Sequence, residues 1–343
     1  MEEPPKTLML LLSFLSLALA FLSWKYIETP FRDKQFKINQ KTIFTCSSVG
    51  ILCFVSLGIY GTSKNGFIER TVFEPVRIYQ EAIGERASGF KFCKKHSEYN
   101  AQLNGNICKI GDVAKEPVGL LWGDSYAGSA LFGLHNELKA KGKAFYVLLS
   151  DGCPPLPGIS RKRNAFGCTP DKQQFTLNWF LKQKKLRDLI WVGRFQALTD
   201  KNTDNDFFID GLKPNLKLLE KRIIEVSNQV FSNGKRILFV MDGPNFNVSI
   251  PDYLSKARLF NSKVNSNFTT VKVNEQRVKI ALSAEFLSEI NGLKFIDSLD
   301  LFCGPEICDG ILPNGAPLVV DHAHISHSAS KILSKAMFNM LEL

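Results

Sequence analysis

Leu120-Leu121-Trp122-Gly123-Asp124-Ser125-Tyr126-Ala127 reads as the end of a buried strand, a tight turn permitted by Gly123, and the start of a helix. A serine placed there faces helix N-terminal amides that point outward unsatisfied and carry partial positive charge. An oxyanion forming on a carbonyl attacked by Ser125 is therefore stabilised at that spot. The competing use is plain helix capping, which both Asp124 and Ser125 do well. To act as a nucleophile Ser125 needs a base, and the chain must supply it from elsewhere.

Outward from this stretch, short apolar runs alternate with longer amphipathic ones, the rhythm of an α/β domain with a mostly parallel sheet. Strands are predicted at 118–122, 144–149, 189–192, 236–241 and 293–296. Helices are predicted at 127–140, 172–182, 217–231, 273–290 and 327–341, each bounded by Gly, Pro or Asn. A three-layer α/β/α sandwich around a mostly parallel five-stranded sheet follows. The Asn- and Ser-rich segment from Pro244 to Phe268 reads as a long surface excursion.

The base is found near the C-terminus. Leu318-Val319-Val320-Asp321-His322-Ala323-His324-Ile325-Ser326 places an Asp and a His three positions apart, after an apolar run and before the last helix. In a turn entering a helix, positions i and i+3 share a side. Asp321 can then orient His324 while the other ring nitrogen takes the proton of Ser125. Taken alone, His322, His324 and His327 near one Asp also suit a metal cluster or an ordinary surface.

The N-terminal part is of another kind. Leu8 to Trp24 and Ile43 to Tyr60 are apolar runs of membrane-spanning length, the second without a charge. Ala18-Leu19-Ala20 has the small residues of a cleavage site, but the leading Met1-Glu2-Glu3-Pro4-Pro5-Lys6 is net acidic where a signal peptide is positive. Lys25, Arg32, Lys34, Lys37 and Lys41 outweigh Glu28 and Asp33 between the runs, which puts that loop in the cytoplasm and both outer ends across the membrane. The predicted organisation is a span over 1–24, a cytoplasmic loop over 25–42, a second span over 43–61, an external extension over 62–116 and the α/β domain over 117–343.

The chain has 343 residues and a formal charge of +10, carried by short clusters such as Lys94-Lys95, Arg161-Lys162-Arg163 and Lys182 to Lys185. No continuous basic stripe appears, so nucleic acid is not an expected partner; the excess suits anionic headgroups, acidic polysaccharide or merely a soluble surface. Cys46 and Cys53 lie in an apolar run, whereas Cys93, Cys108, Cys153, Cys168, Cys303 and Cys308 lie in polar surroundings. An even number outside the membrane suits disulfides in an oxidising compartment. Sequence cannot select among the pairings, though 93 with 108, 153 with 168 and 303 with 308 would each close a local loop. The absence of any C-x-x-C argues against a metal site.

With Gly123-Asp124-Ser125 after the first strand and Asp321-x-x-His324 near the end, the chain resembles the SGNH, or GDSL-type, hydrolase superfamily. Trp24-Lys25-Tyr26-Ile27-Glu28-Thr29-Pro30-Phe31-Arg32 is similar to the close of the last helix of the acyltransferase-3 membrane domain, which many bacterial proteins fuse through one further span to an SGNH domain. Ser150-Asp151-Gly152-Cys153-Pro154-Pro155-Leu156 resembles the segment after their second strand, where a glycine such as Gly152 contributes to the oxyanion hole. The resemblance implies O-acetylation of a cell-envelope polysaccharide such as lipopolysaccharide O-antigen by an inner-membrane protein with a periplasmic C-terminal domain. It implies no cofactor bound directly, and acetyl-CoA as ultimate donor through an acyltransferase-3 partner domain of which this chain carries only the last helix. The sequence departs from the pattern at Tyr126, where many fused members have His. It departs again at Trp191-Val192-Gly193-Arg194-Phe195, which replaces the usual G-x-N-D and leaves Arg194 as the candidate oxyanion donor. Two other functions remain open at this stage: an esterase removing acyl groups with the same residues, and a binding module whose site has decayed.

Overall fold

The computed structural model describes residues 6–29, 39–64, 67, 76–85, 88–101, 105–162, 168–199, 206–260 and 263–342, and it divides into a unit over Met1–Ile68 and a unit over Glu69–Leu343. In the first unit α1 covers Lys6–Ser23 and runs into a π turn at Trp24–Glu28; α2 covers Gln40–Ser63 and is capped by the Asn39 side chain. At about 1.5 Å per residue both approach or exceed the roughly 30 Å of a bilayer core. Their described Leu, Ile and Phe side chains are exposed, and no described residue of α2 is buried. Arg32, Asp33, Lys34 and Lys37, and the end of the motif from Pro30, lie outside the described residues.

The second unit is built on a seven-stranded sheet. Its strands are β1 (Ser97–Asn100), β2 (Gly105–Gly111), β3 (Pro117–Gly123), β4 (Ala144–Leu149), β6 (Asp188–Val192), β8 (Arg236–Val240) and β10 (Leu293–Ile296), in the order β1-β2-β4-β3-β6-β8-β10. The five from β4 to β10 are parallel, and β2 and β1 add antiparallel strands at one edge. Outside the sheet, β5 (Ile159–Arg161) pairs with β7 (Phe207–Ile209), and β9 (Thr270–Lys272) with β11 (Ile307–Asp309).

The central strands are buried on both faces, which is why they read as continuous apolar runs. Alternation sorts their side chains: Leu120, Trp122, Leu189, Trp191 and Phe239 enter one core, and Leu121, Ile190 and Leu238 the other. The first core is closed by helices Pro170–Lys182 and Leu216–Ser232, with Trp122 and Trp191 stacked 5.9 Å apart. The second is closed by Ser125–Ala140 against His327–Leu341. Those two helices approach closely because a Cβ on Gly133 would collide with the Ser330 carbonyl, and the Gly133 amide donates to Ser330 Oγ at 2.7 Å.

Three expectations need correction. The sheet has two strands beyond the predicted five, and both come from 62–116, so the domain begins well before residue 117. Ser97-Glu98-Tyr99-Asn100 is exposed and polar, and strand-forming only because the edge of β2 offers it partners. The predicted helix over 273–290 is broken into Val273–Lys279 and Ala284–Ser288, because buried Ala281 and Leu282 pack into the core and Ser283 caps a new helix by accepting from the Phe286 amide. The segment from Pro244 to Phe268 is no mere excursion. Ile250–Leu259 is helical, and Phe246, Ile250 and Leu254 pack against Leu318 and Val319 in a third apolar cluster, directly under the Asp321 turn.

Candidate active site

Backbone crowding explains the Gly-Asp-Ser order. A Cβ on Gly123 would run into the Val192 carbonyl and the Ala127 methyl, so only glycine lets β3 turn there into the helix. Asp124 is the N-cap, as its residue type suggested: Oδ1 accepts the Tyr126 amide at 2.9 Å, and Oδ2 reaches across to accept the Arg194 amide at 2.8 Å. With Asp124 occupied in that way, Ser125 is the first residue of the helix and its hydroxyl is free to face the cleft.

At the other end of the chain, Val319 bridges to Ile325, and the Val320 amide donates to the His324 carbonyl at 2.8 Å, closing the Asp321–His324 turn. Asp321 Oδ1 accepts the amides of Ala323 and His324, and its Oδ2 lies 2.9 Å from His324 Nδ1. His324 Nε2 lies 2.8 Å from Ser125 Oγ. Since an ionised carboxylate only accepts, the ring proton belongs on Nδ1, and Nε2 presents its lone pair to the serine hydroxyl. Burial pushes the Asp321 carboxyl up, but the hydrogen bonds from the His324 ring and the two amides outweigh it and hold it well below the usual carboxylate range. The imidazole is thus oriented by a group that stays charged.

Gly152, in the turn after β4, and Arg194, after β6, share a cavity of about 220 Å³ with Ser125 and His324. Gly152 has φ +60°, which glycine tolerates, and its carbonyl accepts from Arg161 Nη1 at 3.3 Å. Arg194 follows Gly193, whose bare α-carbon accommodates Pro155, and its Nε is buried without a partner among the described residues. Ser125 and Arg194 follow the carboxyl ends of neighbouring strands β3 and β6, where the strand order reverses direction, the usual place for a site in an open α/β sheet.

The turn carrying Arg194 is gripped from a side the sequence did not reveal. Asp242, just past β8, accepts the Gln196 amide at 3.1 Å and is also bonded to the Phe195 amide. Burial raises its carboxyl to about 8, with the nearby Asp124 charge adding to the effect, and burial raises Asp124 to about 6. The Tyr126 hydroxyl is buried without a partner among the described residues, burial raises it, and its ring lies 5.1 Å from that of His324. An acid ending the fourth predicted strand was the available signal for Asp242; nothing local distinguishes it from a cap.

His322 turns away, with Nδ1 3.3 Å from the Phe246 carbonyl, and among the described residues no group of His, Cys, Asp and Glu could hold a metal ion. Disulfides join Cys93 to Cys108, Cys153 to Cys168 and Cys303 to Cys308, while Cys46 and Cys53 are free and exposed on α2.

A hydroxyl bonded to an oriented imidazole beside amide and guanidinium donors suits attack on an ester or thioester carbonyl. A comparison with curated proteins finds no match. Among solved structures, the periplasmic domain of a lipopolysaccharide acetyltransferase from Salmonella ser. Paratyphi A is similar, with a TM-score of 0.53 and 16% identity over 80% of this chain and 98% of that one, a likeness of fold. The family model described as the SGNH domain fused to AT3 domains matches residues 92–338, and the chain therefore belongs to that family of SGNH domains.

Proposed function

We propose that the chain is a serine-nucleophile O-acyltransferase that acetylates a cell-envelope polysaccharide, such as lipopolysaccharide O-antigen, from a periplasmic SGNH domain anchored in the inner membrane. The observation that carries this reading is the 2.8 Å contact of His324 Nε2 with Ser125 Oγ, backed by Asp321. Ser125 Oγ attacks the acyl carbonyl and gives its proton to His324. The tetrahedral oxyanion is held by the Gly152 amide, the helix N-terminus and Arg194, and the leaving group departs with the proton. A sugar hydroxyl then attacks the Ser125 ester, His324 takes its proton, and Ser125 is regenerated as the sugar ester forms. The acetyl group originates from acetyl-CoA and reaches the domain through an acyltransferase-3 partner in the membrane; the resemblance of Trp24 to Arg32 to that domain supports the pairing.

Ser125→Ala is expected to abolish acetylation of the glycan, read by mass spectrometry, with abundance and membrane insertion unchanged. Retained acetylation would refute the reading. A rise in acetylation on loss of the chain would identify the esterase instead, since water replaces the sugar in the same steps.

A further inference from the structure

Three side chains outside the Ser125 relay converge beside it. Ser88 Oγ lies 2.9 Å from His327 Nε2, His327 Nδ1 lies 3.3 Å from Glu85 Oε1, and Glu85 Oε2 accepts the His327 amide at 2.6 Å. The outline is that of a second serine, histidine and acid set, but its histidine is a poor base. Burial lowers the His327 ring to about 4, and the ring is stacked on Phe132 at 3.9 Å. With the ring proton on Nδ1 toward Glu85, Nε2 accepts the Ser88 hydroxyl proton. The lone pairs of Ser88 Oγ are then left to accept from a ligand.

Glu85, Ser88, Phe90 and Asp151 line a cavity of about 150 Å³ that Ser125 and His324 also line. The nucleophile therefore stands between two unlike spaces. The one with Arg194 and Gly152 also holds Arg161, and its two acids are engaged, Asp206 by Arg161 and Asp124 by the Tyr126 and Arg194 amides; its guanidinium donors are what a developing oxyanion requires, so the acyl carbonyl belongs on that side. The other supplies two carboxylates, a hydroxyl oxygen and an aromatic ring. Its wall is held in place by backbone contact, because a Cβ on Gly89 would collide with the Gly128 carbonyl of the Ser125 helix. Oxygen acceptors suit hydroxyl protons and a ring face suits C–H groups, a combination that fits a sugar; a carboxylate on that sugar would meet like charge.

We propose that this cavity is the acceptor subsite and that it takes a neutral or amino sugar while discriminating against acidic sugars. The inference rests on the transferase reading above. The +10 of the whole chain does not bear on it, since the charges lining this cavity are Glu85 and Asp151.

The test is protection of Ser125 from a fluorophosphonate probe, with the full chain in detergent and modification followed by peptide mass spectrometry. Saturating methyl glucoside is expected to slow Ser125 modification by at least about fivefold, and methyl glucuronide at the same concentration by less than about twofold. Glu85→Gln keeps an acceptor for the His327 amide and is expected to bring the two sugars to within about twofold of each other. If that variant fails to fold, the wild-type comparison still decides. Equal protection of the wild type by both sugars, or protection by neither while Ser125 reacts, would overturn the subsite and leave the nucleophile intact. A Ser125 that never reacts would overturn the transferase reading, and the subsite with it.

Discussion

At Asp321 two opposing effects meet. Burial favours the neutral acid, while the His324 ring and two backbone amides favour the charge and prevail. The carboxylate acts through His324, whose tautomer it sets, so Asp321→Asn should leave the ring in place and put its proton on the wrong nitrogen. The expected outcome is a loss of about 10³–10⁴ in kcat with KM little changed, measured with p-nitrophenyl acetate as acyl donor. A comparable loss in KM alone would point to a role in binding. The pairing of Asp321 with His324 was legible in their spacing because a turn entering a helix is local geometry. The acid that holds the far side of the Arg194 turn was not: Asp242 follows another strand, β8, and reaches the Gln196 amide only once the sheet is assembled.

Among the elements, the loop after β4 depends on a tether. Cys153 is bonded to Cys168, and both are buried against helix Pro170–Lys182. Buried Gln173 on that helix donates to Cys153 Sγ at 3.4 Å and accepts from the Trp122 indole at 3.0 Å, linking the loop to the strand that leads into Ser125. Replacing both cysteines by serine opens a loop with sequence separation 15. That is expected to cost about 3 kcal/mol of stability, seen as a lowered thermal midpoint. Because Gly152 adjoins Cys153, kcat on the same substrate should fall at temperatures where the variant is still folded. Full activity there would separate this disulfide from the proposed role of the Gly152 turn. The five parallel strands were readable since burial on both faces makes each a continuous apolar run; β1 was not, because an exposed edge strand needs only backbone partners, and in β2 the buried Ile107, Cys108 and Ile110 are interrupted by Lys109.

For the molecule as a whole, the buried acids set the pH dependence of stability. The folded-state carboxyls of Asp124 and Asp242 lie at about 6 and about 8, above the ordinary 3.8, so between pH 4 and 8 the folded chain holds protons that the unfolded chain has lost. Stability therefore falls as pH rises through that window, by at most about 1.4 kcal/mol per pH unit for each proton. Asp321 has the opposite sign: its contribution is present above the unfolded carboxylate value and is lost in stronger acid. Asp242→Asn is expected to flatten the slope between pH 6 and 8, where Asp242 is the acid of the pair still titrating. Thermal unfolding of the full chain in detergent across that range provides the measurement, and an unchanged slope would remove Asp242 from the account.

From the sequence alone came two apolar spans, an α/β domain, and the Ser125, Asp321 and His324 set, all of them written in periodicity, turn residues and short spacings. Tertiary structure alone decided which acids hold the Arg194 turn, that the helices and strands described within 76–111 belong with the sheet, and that Glu85 and Ser88 meet His327 beside Ser125. The reason is the range of the forces involved. Hydrophobic period and turn chemistry act between near neighbours, whereas a cavity wall is assembled from segments more than two hundred residues apart that only the packed sheet and helices bring together.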